Sequence, residues 1–86
     1  MHEFGIANEA IEICVGASGG ARITRVVLEI GKLSAVLPDA VRFCFDAASE
    51  GTVAQGAELE IIEVPGDALR IKAMEVNGQQ QGVTVS

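Results

Sequence analysis

The spacing of apolar residues changes from helical to alternating across a glycine-rich break, and this change commits the chain to a mixed helix-and-strand architecture. Over residues 4 to about 16, Ile6, Ala10 and Ile13 fall on one side of a helix, with Ala7, Ile11 and Cys14 adjoining. Asn8, Glu9 and Glu12 occupy much of the remaining surface. The small-residue run 16–20 ends that helix. From about residue 21 to residue 30 the period is two. Val26, Leu28 and Ile30 share one face and Arg25, Val27 and Glu29 the other, as in a strand with one face turned to a core.

Beyond this strand, residues 31–37 read as a connection, in which Gly31 permits the bend out of the strand. Pro38 suits the first turn of a second helix, where its missing N–H costs nothing. Val41, Phe45 and Ala48 recur there at helical spacing, with Cys44 beside them, and Gly51 is a suitable stop. Phe43 and Phe45 stand two apart on a helix and cannot both face the core. Residues 58–64 and 69–76 read as two further strands, and residues 77–86 as a frayed, polar tail.

The last two strands invite a register test. A three-residue loop of Pro65-Gly66-Asp67 sets Ile61 opposite Ile71, Leu59 opposite Ala73 and Glu60 opposite Lys72, whereas a two-residue loop sets Ile61 against Arg70. The expectation is therefore an antiparallel hairpin with the longer loop. The whole reads as an α+β fold in two layers, ordered α-β-α-β-β, with a three-stranded sheet carrying both helices on one face. Residues 1–76 form the expected domain.

With 86 residues, 49% of them apolar, the chain suffices for one modest core. A net charge of −6 argues against nucleic acid or an anionic membrane as partner, since phosphate binding needs clustered Lys and Arg. No apolar run is long enough to span a bilayer and no signal peptide is evident, so the cytoplasm is the expected location. Cys14 and Cys44 stand far apart, outside any Cys-x-x-Cys pair, and read as buried reduced thiols.

The residues that carry chemistry open the chain: Met1-His2-Glu3. A free α-amine, the His2 backbone nitrogen and the His2 imidazole Nδ1 can close a five-membered and a six-membered chelate ring around one metal. Ionised amide nitrogens favour square-planar Ni(II) or Cu(II). The Glu3 amide could add a fourth nitrogen, or its carboxylate could approach axially. His2 is the sole histidine, so no second imidazole of the same chain can complete the site.

The span from Met1 to Val76 resembles the HypA/HybF family of hydrogenase nickel-incorporation proteins. Met1-His2-Glu3 is followed by Ile6, then by Val27-Leu28-Glu29-Ile30-Gly31-Lys32-Leu33-Ser34 and Val36. Arg42-Phe43-Cys44-Phe45 comes next, then the run from Thr52 through Ile61, and finally Leu69-Arg70-Ile71-Lys72-Ala73-Met74-Glu75-Val76. The resemblance implies a factor that passes Ni(II) to the large subunit of [NiFe]-hydrogenase together with a partner GTPase, with Met1, His2 and Glu3 as the nickel site. Proteins of this kind carry a zinc-binding segment with two Cys-x-x-Cys pairs between the last two strands. Here that place holds only Pro65-Gly66-Asp67, and no zinc is expected.

Other features have plainer readings. Gly31-Lys32-Leu33-Ser34 lacks the upstream glycine of a phosphate-binding loop. Glu58, Glu60 and Glu63 beside Arg70 and Lys72 read as cross-strand charge pairs on a solvated face. No nucleophile-and-base constellation appears, so an enzyme is not expected. The alternative to nickel delivery is a docking or self-association module, and homodimerisation stays open, including exchange of the third strand should the short connection be strained.

Overall fold

The computed structural model describes residues 2–81, and its elements run α1 (His2–Ser18), β1 (Ile23–Gly31), a single 3-10 turn (Lys32–Ser34), α2 (Pro38–Ser49), β2 (Glu58–Val64), β3 (Leu69–Val76) and β4 (Gln79–Gln81). The helix-strand-helix-strand-strand order and the α+β class match the expectation. The first helix begins two residues earlier than its periodicity suggested, at His2. Pro38 occupies the first turn of α2, and Phe45 is buried while Phe43 is 76% exposed, so the two rings do face opposite ways.

The sheet order is β2-β1-β3-β4. β1 pairs parallel with β2 and antiparallel with β3, so the expected β2–β3 hairpin does not form. β1 is inserted between the two strands that were expected to pair. The reason lies in β1 itself. Val26, Val27 and Leu28 are buried in succession, with Val27 outside the core that packs on the helices, which suits a central strand bonded along both edges. Stepping across it spans two strand spacings, about 10 Å, which the four residues 65–68 can reach.

One expected level survives the insertion, with β1 in the middle: Leu28 pairs with both Ile61 and Ile71. The register shifts between Val27 and Leu28, so Leu59 comes level with Met74 through Val26 instead of with Ala73, and Glu60 comes level with Ala73 through Val27. Glu60 does not meet Lys72. It pairs instead with Arg25, which also bonds the Glu75 carboxylate at 3.0 Å, while Arg70 meets Glu29 at 2.5 Å. The charge pairs on the solvated face are thus real in kind, with β1 supplying one member of each.

The fourth strand lies within the stretch expected as a tail. Asn77 and Gly78 have φ of 50° and 79°, the two positive values of a type I′ turn, and Val76 pairs with Gln79 across it. Residues 82–86 of that stretch lie outside the described residues. The Thr24 hydroxyl steadies the turn by donating to the Glu75 carbonyl and accepting the Gly78 N–H at 3.1 Å.

One apolar core joins the helices to the sheet. It contains Ala7, Ala10, Ile11 and Cys14 from α1, Val41, Cys44 and Phe45 from α2, and Val26, Leu28, Ile30, Leu59, Ile71 and Met74 from the strands. Phe45 is 1% exposed, and burying a ring of that size contributes roughly 3 kcal/mol.

Candidate metal site

The first turn of α1 carries His2 and Glu3. Backbone N–H groups in the first turn of a helix have no carbonyl partner within it. Starting α1 at His2 therefore leaves the amides of His2 and Glu3 uncommitted to the helix, and these are nitrogens that a terminal chelate would use. Met1 lies outside the described residues, so the structure places two of the three expected site residues.

The two side chains differ in surroundings. The His2 ring is 61% exposed, whereas the Glu3 side chain is 12% exposed. Glu3 Oε2 stands 3.6 Å from His2 Nε2, and the same oxygen accepts a long hydrogen bond, 3.5 Å, from the Leu37 N–H. Leu37 is the residue that precedes α2, and its own side chain makes no capping bond. Glu3 thus joins the N-terminal ends of both helices, where their dipoles favour a negative charge. The fold brings His2, Glu3 and the start of α2 together over 34 residues of sequence, a contact that no local pattern announces.

Among the described residues, no three His, Cys, Asp or Glu side chains converge on a metal-sized site. The main-chain nitrogens of His2 and Glu3, uncommitted to the helix, are donors available at this end, in keeping with the chelate chemistry expected of residues 1–3. Neither cysteine adds a ligand there. Cys14 and Cys44 are both free and buried in the core, and burial raises the Cys14 thiol from 9.0 to about 11, which holds it protonated.

The Gly31-Lys32-Leu33-Ser34 segment is a local turn. The Ser34 hydroxyl donates to the Gly31 carbonyl at 2.7 Å and accepts the Val36 N–H at 3.4 Å, so it is occupied within its own loop. Gly31 is not needed for its torsion, since φ −70° and ψ 137° suit any residue. It is needed for space. A Cβ there would sit 2.7 Å from the Ala68 nitrogen and the Asp67 Cα, and nearer still to the Gly66 carbonyl oxygen. The bend expected of Gly31 is thus a close passage of the 65–68 crossover.

No helix among the described residues is long and apolar enough to cross a membrane. Comparison with known proteins gives a consistent family. A family model described as "Hydrogenase/urease nickel incorporation, metallochaperone, hypA" matches residues 1–76. The hydrogenase maturation factor HypA of Nostoc punctiforme is 58% identical over 66 residues, covering 77% of this chain and 58% of that protein. The HypA of Geobacter sulfurreducens is 54% identical over 66 residues, covering 77% of this chain and 60% of its own length. The chain therefore spans less than two thirds of the curated relatives it matches. The solution structure of the Ni metallochaperone HypA from Helicobacter pylori superposes with a TM-score of 0.64 at 18% identity, covering 95% of this chain and 93% of the other, which supports the fold. By name these relatives are maturation factors and metallochaperones, not enzymes. The chain belongs to the HypA family of hydrogenase and urease nickel-incorporation metallochaperones.

Proposed function

We propose that this chain is a nickel-carrying domain that binds Ni(II) at its free N-terminus through Met1, His2 and Glu3 and serves the maturation of [NiFe]-hydrogenase. The observation that carries the reading is the start of α1 at His2, which leaves the first-turn amides free beside an exposed imidazole. Nickel is cargo in this scheme, so the site must release it. An exposed His2 at the chain end suits exchange better than a closed cage of side chains would.

In this reading the delivery target is the hydrogenase large subunit and the working partner a GTPase. The domain comprises residues 1–76, with residues 77–86 as an appended segment, and works in the cytoplasm. No zinc is assigned to it in this reading, since Pro65-Gly66-Asp67 stands where the resemblance would put a Cys-x-x-Cys segment. Exposed Leu33, Leu37 and Phe43 favour a second reading, a docking or self-association module without efficient nickel transfer.

Competition for Ni(II) against a chromophoric chelator tests the proposal. It predicts about one ion per chain and loss of binding in His2→Ala. Equal retention by His2→Ala, or binding no tighter than that of a free Met-His-Glu peptide, leaves the docking reading in its place.

A further inference from the structure

We infer that Asn77-Gly78, at the tip of the β3–β4 turn, is a site of spontaneous deamidation, and that the Thr24 hydroxyl holds the reaction in check by engaging the nitrogen that would attack.

The reaction needs no co-reactant but water. The Gly78 main-chain nitrogen attacks the Asn77 side-chain carbonyl carbon, Cγ. A bond forms between them, the Cγ–Nδ2 bond breaks, and ammonia leaves with the proton that the Gly78 nitrogen gives up. Water then opens the resulting succinimide ring at one of its two carbonyls, which leaves aspartate or isoaspartate at residue 77. A glycine after the asparagine hinders the attack least, because no Cβ crowds the nitrogen. Both residues are exposed, and nothing lies within 4 Å of the place that a Cβ on Gly78 would take. The other asparagine of the chain, Asn8, lies inside α1 before Glu9, whose nitrogen is bonded into the helix.

The fold governs when the reaction can start. Thr24 and Arg22, at the beginning of β1, grip the turn from one side. The Asn77 N–H donates to the Arg22 carbonyl at 2.8 Å, and the Gly78 N–H donates to the Thr24 hydroxyl at 3.1 Å. That hydroxyl is itself fixed by donating to the Glu75 carbonyl at 3.2 Å. Attack requires the Gly78 nitrogen to lose its proton and turn toward Cγ, and its bond to Thr24 opposes both. Reaction therefore passes through local opening of the turn, at a rate that follows the population of the open form.

The two products differ in consequence. Aspartate preserves the main chain and tolerates the left-handed torsion at residue 77, where φ is 50°. Isoaspartate routes the main chain through its side chain and lengthens it by one carbon, which a two-residue turn in fixed register does not absorb. β4 then parts from β3 and uncovers the edge at residues 74–76. The family match ends at residue 76, so the event detaches β4 without cutting into the shared domain.

The test ages the full chain at mildly alkaline pH, folded or in urea, and locates aspartate and isoaspartate by peptide mapping with mass spectrometry. Asn77 should convert about 10-fold faster in urea than in the folded protein, while Asn8 keeps its amide when folded. In the folded state Thr24→Val should convert Asn77 about 5-fold faster than wild type, as expected for the loss of one hydrogen bond from the closed turn. Thr24→Ser, which keeps the hydroxyl, should match wild type. Circular dichroism checks that the variants fold. Should Thr24→Val not fold, hydrogen exchange of the Gly78 amide in wild type decides: slow exchange supports the assignment and fast exchange overturns it. Equal rates at Asn77 in folded and unfolded wild type overturn it, as does a folded Thr24→Val that ages like wild type. Conversion at Asn8 in preference to Asn77 overturns the site itself.

Discussion

Gly31 and Ala68 are joined by a 2.6 Å backbone hydrogen bond where the crossover from β2 to β3 passes the end of β1. A second bond, from the Leu33 N–H to the Gly66 carbonyl at 2.8 Å, fixes the same passage from the other side. The gap between strand and crossover holds a hydrogen atom on Gly31 and nothing larger. This clamp accompanies a direct step between β2 and β3.

Gly31→Ala should therefore destabilise the protein by about 1–3 kcal/mol, through forced displacement of the crossover. Gly16→Ala is the matched control. It makes the same chemical change within α1 where nothing lies within 4 Å of the new Cβ, and it should stabilise by about 0.5–1 kcal/mol. Urea unfolding of both variants checks the opposite signs. Equal and small effects would contradict the close passage.

The two phenylalanines of α2 should separate as sharply. Phe45→Ala removes a ring that is 1% exposed and should cost about 3–5 kcal/mol, whereas Phe43→Ala, at 76% exposure, should stay within about 0.5 kcal/mol. The same unfolding experiment measures both. A large loss at Phe43 would mean that its ring is covered in solution.

Cys14 predicts a pH dependence. Its folded value is raised to about 11 by burial, so the folded state retains a proton that the unfolded chain loses first. The stability it contributes is full below pH 9 and falls as pH rises toward 11, by about 2–3 kcal/mol in all. Denaturation midpoints across that range should fall more steeply in wild type than in Cys14→Ala. Parallel slopes would show that the thiol is not held protonated by the fold.

The sequence disclosed element identity better than adjacency, and the Leu28 level explains why. Ile61 and Ile71 are complementary whether they touch or both flank Leu28, since alternation fixes which face a residue takes and at what height, but not which strand intervenes. The consecutive apolar residues Val26, Val27 and Leu28 were the legible sign of a central strand, and Val27 lies outside the main core, level with Glu60 and Ala73, as the alternating reading placed it. Asn77-Gly78 was an equally legible turn, obscured by the polar composition around it. At the proposed site, the donor chemistry of residues 1–3 was readable directly. The Glu3–Leu37 contact was not, because it depends on how two helices separated by a strand meet at their N-terminal ends.

The measurement that bears most directly on the nickel reading is a Ni(II) titration of the chain with its α-amine free at Met1 against the same chain extended by a single residue. The extension leaves His2, Glu3 and the fold in place and removes only the terminal amine from the chelate. The account predicts a square-planar absorption band and about one tightly held ion in the first case, and loss of both in the second. Undiminished binding with the same band in the extended chain would contradict it, and would move the nickel site away from the N-terminal chelate.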